Sequence, residues 1–222
     1  MSQQIIILGT GGNCVDILEA ILDLNDAGGD CRYDCIGFLD DDPAKAGANI
    51  HGVPVLGTLT DAARFTDAQF VNGIGSHTNY WMKSSIIART RLPEERFEAI
   101  VHPSARVSRF ASVGRGTAIL QNVTVASGAQ IGRHVVILAG STVNHDSIVG
   151  DFSSIASGVS ISGSVRNGPS SYLGTNCCIR DGISVGDSCL IGMGSVVRHY
   201  VEAASVVAGN PAKLLRKLET EA

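Results

Sequence analysis

The spacing of hydrophobic residues along the chain changes at about residue 101. Before that point, short apolar runs alternate with glycine-rich turns and with stretches of helical periodicity. After it, one aliphatic residue recurs every six positions. These two patterns predict two different architectures in one chain, an α/β unit followed by a repetitive β unit.

The first hundred residues predict a small α/β domain. Residues 4–8 form an apolar run typical of a buried parallel strand, and a helical pattern follows the glycine turn that starts at Gly9. Further strands are expected near residues 35–39, 53–56 and 69–73, and a helix over residues 79–90. A truncated Rossmann-like sheet of four or five parallel strands fits this length better than a full dinucleotide-binding fold.

The glycine turn predicts a close approach between the backbone and an anion. Gly9, Gly11 and Gly12 leave backbone N–H groups and the start of the following helix open to a phosphate. Cys14 occupies the last position of the dinucleotide fingerprint GxGxxG, so the motif is incomplete. The same glycines also suit a tight turn without a ligand, and the sequence leaves both interpretations open.

Acidic residues follow the second predicted strand. Asp40 and Asp41 lie where a carboxylate of such a unit accepts hydrogen bonds from the sugar or base of a nucleotide. Asp41 and Asp42 suit the cap of a turn equally well. A second glycine turn, at Gly75, follows a neighbouring strand, and we expect it to lie beside the first. The sequence therefore predicts a nucleotide site at one edge of the sheet.

Residues 101–202 divide into seventeen hexads without an insertion. The first position of each hexad is Val, Ile or Leu in every case but one, Asn167. A helix needs apolar residues at a spacing of three to four, so this period predicts coils of three short strands with the aliphatic residue pointing inward. The fold class is thus a small Rossmann-like domain followed by a left-handed parallel β-helix, about 27 Å tall.

Three segments are predicted from these patterns. We predict a Rossmann-like nucleotide-binding domain over residues 1–100, a β-helix over residues 101–202 and a C-terminal cap over residues 203–222. The cap is expected to contain a short amphipathic helix that buries Leu214, Leu215 and Leu218, with Pro211 in its first turn.

Composition narrows the classes of function. A net charge of −4 excludes a generally basic nucleic-acid binder. Apolar runs stay well below the ~20 residues needed to span a bilayer. The sequence starts without a signal-peptide pattern, so we expect a cytoplasmic protein with six free thiols. The cysteine and histidine spacings predict no metal site. Glycine, at 26 residues, is high because strand turns need it.

Several motifs together resemble one family. The hexad array, the segment of residues 144–151 (NHDSIVGD) and the ending GNPAK at residues 209–213 resemble the hexapeptide-repeat acyltransferases. The segments GFLDDD and VHPSA, at residues 37–42 and 101–105, resemble the subgroup with a small nucleotide-binding domain before the β-helix. That subgroup includes bacillosamine-pathway and perosamine N-acetyltransferases and sialic acid O-acetyltransferases.

The resemblance implies a homotrimer with active sites between adjacent β-helices. It implies acetyl-CoA as cosubstrate along the coil and a nucleotide-linked amino sugar held by the small domain. His145 matches the catalytic histidine, Asp146 the acid that follows it, and Gly163 the residue whose N–H meets the thioester carbonyl. Asn210, Pro211 and Lys213 are expected to contact coenzyme A. Asn13 departs from the family pattern, because it stands where the bacillosamine-pathway enzyme has a histidine near the sugar diphosphate, and a different acceptor is therefore open. Asn144, next to His145, is a further candidate contact of the acceptor.

The leading hypothesis is N-acetylation of a nucleotide-linked amino sugar for a bacterial surface glycan. A histidine suits the task because an amine must lose a proton as it attacks the thioester, and His145 is the candidate general base. O-acetylation of a sugar hydroxyl, of the sialic acid type, is an alternative, and a non-enzymatic trimer that binds nucleotide sugars is another. Covalent catalysis by Cys177, Cys178 or Cys189 is the rival mechanism to direct transfer.

Overall fold

The computed structural model describes residues 2–29 and 31–218. The chain starts with an α/β domain built around a five-stranded sheet. Its elements are β1 (Gln3–Leu8), α1 (Gly12–Gly28), β2 (Tyr33–Leu39), β3 (Asn49–Ile50), β4 (Val53–Gly57), β5 (Gln69–Asn72) and α2 (Lys83–Ala88). Short 3-10 helices join them at Pro43–Lys45, Leu59–Arg64, Tyr80–Met82 and Glu94–Arg96.

Helices cover both faces of this sheet, whose strand order is β3-β4-β2-β1-β5. Ile5 and Ile7 of β1 pack under α1, and Ile6 and Leu8 pack on the opposite face in the same cluster as Ile87 of α2. A central strand buried on both sides has a continuous apolar run, which is why residues 4–8 predict it so clearly.

Two elements of the first domain differ from the prediction. The sheet is mixed, because β3 pairs antiparallel with β4 across a two-residue turn in which His51 and Gly52 both have positive φ. Such a turn can join only antiparallel strands. The helix predicted over residues 79–90 is shorter: α2 follows a 3-10 turn and stops before Arg91, whose left-handed φ of 53° ends the helical conformation.

Seventeen two-residue strands then form a three-sided stack. They are β6 (Ile100–Val101), β7 (Arg106–Val107), β8 (Ser112–Val113), β9 (Ala118–Ile119), β10 (Thr124–Val125), β11 (Gln130–Ile131), β12 (Val136–Ile137), β13 (Thr142–Val143), β14 (Ile148–Val149), β15 (Ser154–Ile155), β16 (Ser160–Ile161), β17 (Arg166–Asn167), β18 (Tyr172–Leu173), β19 (Cys178–Ile179), β20 (Ser184–Val185), β21 (Leu190–Ile191) and β22 (Val196–Val197). Each strand from β6 to β19 pairs in parallel with the strand three further along, at a register of eighteen residues, as in Thr124 with Thr142. The predicted fold class is confirmed.

Each face of the stack is a separate sheet. Sheet 1 contains β7, β10, β13, β16, β19 and β22. Sheet 2 contains β8, β11, β14, β17 and β20. Sheet 3 contains β6, β9, β12, β15, β18 and β21, and is extended by β23 (Ser205–Ala208) and β24 (Lys213–Lys217).

The inward row of the stack is almost wholly aliphatic and forms one continuous core. Asn167, the exception in the hexad pattern, is 2% exposed and still points inward between Val149 and Val185. Its Nδ2 donates to Ser153 Oγ and to the Gly168 carbonyl, whereas its Oδ1 has no partner among the described residues. One buried polar side chain is thus tolerated in the row without breaking the register.

The first domain packs against the outer face of sheet 3. Ile100, Ala118 and Leu120 belong to the same buried cluster as the side chains between β1 and α1. At the junction, His102 Nε2 lies 2.7 Å from Asp23 Oδ2 of α1. The core of the first domain therefore continues directly onto the β-helix.

The predicted C-terminal capping helix is wrong. Residues 213–217 form β24, which pairs antiparallel with β23, so Pro211 lies in the connecting turn instead of the first turn of a helix. β23 is the last rung of sheet 3 and exposes a row of backbone N–H and C=O groups, which a hairpin strand satisfies and a helix does not. Leu214 and Leu215 remain exposed, and Leu218 is buried.

We predict that Asn167→Val stabilises the protein by about 1 kcal/mol, because it restores the aliphatic row and removes a buried oxygen without a partner. The measurement is the midpoint of urea unfolding, with Val149→Asn in the adjacent rung as the control that should lower it. A lower midpoint for Asn167→Val would mean that the two Nδ2 hydrogen bonds outweigh the burial of the unpaired oxygen.

Candidate functional site

The first site is a cavity of about 500 Å³ at the carboxyl edge of the N-terminal sheet. It lies where β1, β2 and β5 end, because parallel strands of an open sheet bring their carboxyl ends to one edge. Every residue of this domain that the sequence predicts to bind substrate lines it: Gly9, Gly11, Gly12, Asn13, Asp40, Asp41 and Gly75. Three separate segments of the chain thus meet in one place.

The amino end of α1 opens onto this cavity. Gly11 is the N-cap residue, and no side chain of the described structure caps the helix. A side chain added at Gly11 or Gly12 would meet no atom within 4 Å, so the space in front of the first helical turn is empty. Uncapped N–H groups and the positive end of the helix dipole suit a phosphate.

Cys14 explains why the incomplete fingerprint still makes a tight turn. Its Sγ fills the space left by two missing side chains, since a Cβ at Gly73 or at Gly9 would lie 2.5 Å or 2.9 Å from it. Burial raises the pKa of this thiol to about 12, so the group packs as a small apolar side chain. Gly73 on the neighbouring strand therefore supplies the close approach that the third fingerprint glycine normally gives.

Both predicted acids face the cavity and are held by donors of the protein. Asp40 Oδ2 accepts from Thr10 Oγ1 at 2.6 Å and Oδ1 from the Asp42 N–H. Asp41 Oδ1 accepts from the Leu59 N–H at 3.0 Å, and Asp41 Oδ2 lies 2.9 Å from Arg89 Nη1. Asp42, in contrast, caps the following 3-10 helix. Each carboxylate oxygen of the first two has a second lone pair for a ligand donor.

A second, smaller cavity of about 140 Å³ continues from the first toward the β-helix. The two share Asn13, Gly75 and Ser76, and the second is closed on its far side by sheet 3, including Tyr172 and Ala156. Asn13 Nδ2 donates to the Gly75 carbonyl at 3.3 Å, which ties the two glycine turns together.

A buried lysine lies between the Gly75 turn and the β-helix. Lys83 of α2 is fully buried, and its Nζ donates to the Ser153 carbonyl at 3.1 Å and to Ser154 Oγ at 3.2 Å on the β-helix. A Cβ at Gly75 would lie 3.2 Å from this Nζ. The lysine therefore sits at the contact of the Gly75 turn with the coil, and burial lowers its pKa to about 7.

The second site lies on the corner between sheets 1 and 2. His145 is in the turn from β13 to β14, its side chain is 62% exposed, and its Nδ1 lies 2.9 Å from Asp146 Oδ2. Asp146 has a left-handed φ of 59°, which turns its carboxylate back to the preceding ring. The turn thereby lets a residue next in sequence hold the histidine, and an Nδ1–H donor leaves Nε2 as the free base.

Gly163 stacks directly on His145, eighteen residues along the coil. A Cβ at Gly163 would lie 2.6 Å from Nε2, so any side chain there would displace the ring. The Gly163 N–H has no hydrogen-bond acceptor among the described residues and is available to a ligand. Asn144 is close by, but its Nδ2 donates to the Ile161 carbonyl at 2.9 Å.

The residues expected near coenzyme A lie apart from His145. Asn210, Pro211 and Lys213 are exposed around the turn between β23 and β24, roughly four coils further along the axis, or about 19 Å. Two cysteines of the rival mechanism are buried: burial raises the pKa of Cys177 to about 12, and burial also raises the pKa of Cys189, which disfavours both thiolates. Cys178 is exposed.

Other cavity-lining residues were not predicted as binding residues: Thr10, Cys14, Leu59, Ile74, Ser76, Asn79, Ile86 and Arg89. Most adjoin the two glycine turns, so extending each motif by one or two residues would have found them. Leu59 and Arg89 follow β4 and α2, and only the tertiary fold brings them to the cavity.

Known proteins with the same two-part architecture match this chain. Residues 4–87 match the family model of the PglD N-terminal domain. The acetyltransferase domain of PglB from Neisseria gonorrhoeae, solved with acetyl coenzyme A, is 27% identical, and the match covers 97% of this chain and 100% of that one with a TM-score of 0.84. The resemblance to hexapeptide-repeat sugar acetyltransferases that carry a PglD-type N-terminal domain is confirmed.

More distant structures share the fold. PerB from Caulobacter crescentus, solved with CoA and GDP-perosamine, is 24% identical with a TM-score of 0.80, and the match covers 95% of this chain and 96% of that one. WeeI from Acinetobacter baumannii is 22% identical with a TM-score of 0.80, over 95% of this chain and 99% of that one. No curated protein matches the sequence significantly.

Residues 2–29 and 31–218 contain neither a membrane-spanning helix nor a metal-binding cluster. Within these ranges no helix is long and apolar enough to cross a membrane. The same ranges contain no group of three or more His, Cys, Asp or Glu side chains placed to hold a metal ion.

We predict that Lys83→Met changes how stability depends on pH. Between pH 7 and 10.5 the unfolded chain binds a proton at Lys83 that the folded protein does not, so wild-type stability gains from rising pH in this window. The variant lacks this gain, and its stability relative to wild type should fall by at most about 1.4 kcal/mol per pH unit. Urea unfolding at pH 7 and pH 9.5 measures the difference.

Lys45→Met, a change at an exposed lysine, is the control for this measurement. Its stability relative to wild type should stay constant over the same window. If the unfolding free energy of Lys83→Met and that of wild type changed equally with pH, Lys83 would be shown to stay charged in the folded protein.

Proposed function

We propose that this protein is an acetyl-CoA-dependent N-acetyltransferase that acts on a nucleotide-linked amino sugar in bacterial surface glycan synthesis. The observation that carries the proposal is the exposed His145, held at Nδ1 by Asp146, with its Nε2 facing Gly163. The acetyltransferase domain of PglB, which matches this chain over its whole length, was solved in complex with acetyl coenzyme A. Acetyl-CoA as the donor agrees with the cytoplasmic location expected from the sequence.

His145 acts as the general base in this proposal. The sugar amine attacks the thioester carbonyl, and Nε2 takes the proton that the nitrogen loses as the C–N bond forms. Asp146 keeps Nδ1 protonated and stabilises the imidazolium that results. The C–S bond then breaks, and the proton passes from Nε2 to the departing thiolate of coenzyme A.

The negative charge that develops on the thioester oxygen needs a donor. The Gly163 N–H has no acceptor among the described residues and lies on the rung next to His145. It is therefore the proposed donor to this oxygen. An acyl-enzyme on Cys177 or Cys189 is disfavoured, because both are buried and their pKa values are raised. Cys178 is exposed but lies two rungs of sheet 1 beyond Thr142, or about 10 Å along the axis, so direct transfer beside His145 is the proposed route.

The cavity of the first domain is suited to the nucleotide part of the acceptor. The uncapped start of α1 provides N–H groups for a diphosphate, and Asp40 and Asp41 provide acceptors for the ribose or base. Asn13 lies where this cavity meets the smaller one on sheet 3, which supports a contact with the sugar end of the ligand. Asn210, Pro211 and Lys213 are proposed contacts of coenzyme A, and Asn144 of the acceptor.

The active site in this proposal is shared between two copies of the chain. The first domain covers sheet 3, whereas His145 lies on the opposite corner between sheets 1 and 2. One copy therefore does not bring its own cavity to its own histidine. A ring of three copies would place each His145 against the cavity of a neighbour, in agreement with the trimer expected from the sequence.

We predict that His145→Asn lowers turnover at least about 100-fold, because asparagine cannot accept the proton. The assay is release of free thiol from acetyl-CoA with a panel of amino sugars linked to UDP, dTDP or GDP. His51→Asn, at an exposed turn outside both sites, is the matched control and should keep wild-type turnover.

Three results would count against the proposal. Unchanged turnover in His145→Asn would remove this residue as the base. Thiol release with sialic acid and with none of the amino sugars would support O-acetylation instead. Binding of nucleotide sugars without thiol release from any acceptor would support the non-enzymatic trimer.

We predict that two inactive variants restore activity when they share a trimer. Gly12→Asp places a negative charge at the start of α1 without a clash, so it repels a diphosphate while the helix is retained. Coexpressed with His145→Asn, it should give about one quarter of wild-type activity, because one in four sites of a random ring has both parts intact. Mixing the pure variants without subunit exchange is the control, and no recovery on coexpression would place the whole site within one copy.

A further inference from the structure

An ion pair lines the larger cavity. Arg89 directly follows α2, and its Nη1 lies 2.9 Å from Asp41 Oδ2 in the segment after β2. β1 lies between β2 and β5 in the sheet, and α2 follows β5. The pair therefore spans the carboxyl end of β1, where the glycine turn leads into α1.

The charges around the cavity do not suit a diphosphate without this arginine. Within the described ranges, the charged residues that line it are Asp40, Asp41 and Arg89. A nucleoside diphosphate brings at least two negative charges next to two carboxylates, and the start of α1 supplies only about half a positive charge. Arg89 is thus the cation on which anion binding in this cavity depends.

Arg89 also has N–H groups that Asp41 does not engage. A guanidinium carries five N–H groups, and the Asp41 carboxylate is the one ion-pair partner of Arg89 in the described structure. Its side chain is 54% exposed, whereas that of Asp41 is 23% exposed and fixed at Oδ1 by the Leu59 N–H. Asp41 is therefore the fixed partner, and the remaining N–H groups of Arg89 are accessible to a ligand.

We propose that Arg89 binds the diphosphate of the nucleotide ligand, and that Asp41 positions its guanidinium across the glycine turn. The inference rests on the proposed function, in which this cavity holds the acceptor nucleotide. It adds a binding residue that no sequence motif indicates. A guanidinium can bind two phosphate oxygens at once, and this geometry distinguishes it from a lysine.

The test is isothermal titration of the full chain with uridine, thymidine and guanosine and with UDP, dTDP and GDP. Arg89→Gln should weaken binding of the preferred diphosphate about tenfold to a hundredfold. Binding of the matching nucleoside should change less than about twofold, since it offers no phosphate. Arg89→Lys should recover part of the diphosphate affinity, and the salt dependence of binding should be shallower in Arg89→Gln than in wild type.

Arg91→Gln is the control, because it removes the same charge from an exposed residue two positions away that does not line the cavity. Equal loss of nucleoside and diphosphate binding in Arg89→Gln would overturn the inference, since the residue would then hold the base or the cavity shape. Unchanged diphosphate binding would also overturn it.

The proposed function fails in a different way. Arg89-dependent diphosphate binding without thiol release from acetyl-CoA would uphold the inference and refute the acetyltransferase. A wild-type protein that binds none of the three diphosphates would refute both the inference and the role of the cavity.

Discussion

Parallel pairing at a register of eighteen residues is the constraint on which the rest of the β-helix depends. Each rung gives its backbone hydrogen bonds to the next, as when the Asn144 N–H donates to the Ile161 carbonyl. One aliphatic residue per hexad then falls on the inner row and packs on the aliphatic residues of the rungs on either side. Because packing is satisfied by that row, the residues on the corners are free to differ from coil to coil.

The same register builds the histidine site. A residue eighteen positions later lies directly over its predecessor, so Gly163 stacks on His145 and Asp146 stacks on Gly128. A Cβ at Gly128 would clash with the Asp146 carboxylate, as one at Gly163 would with the ring. The positions of these two glycines are therefore fixed by the residues that they must accommodate, and an exposed His–Asp pair is held in one orientation without being buried.

Sequence reasoning succeeded where one interaction dominates and failed where several compete. The aliphatic hexads determine the inner row, and even Asn167 kept its predicted register because its neighbours fix the rung. The tail failed because Leu214, Leu215 and Leu218 have helical spacing, whereas the open edge of β23 favours a strand through backbone pairing. Arg89 has no signature at all in the sequence, since its role depends on strand order and on a helix that stops two residues early.

Because the first domain packs on sheet 3, its cavity and His145 lie on different sides of the β-helix. That contact includes the fully buried Lys83, so the cavity of the first domain is fixed to one face of the prism. His145 is left on the corner across from it. Under the proposed function, acceptor choice is made by the cavity of one copy, whereas proton transfer is made by the coil of another. Differences in the cavity can then change the nucleotide or sugar without disturbing the geometry of His145, Asp146 and Gly163, because that geometry depends only on the register of the coil.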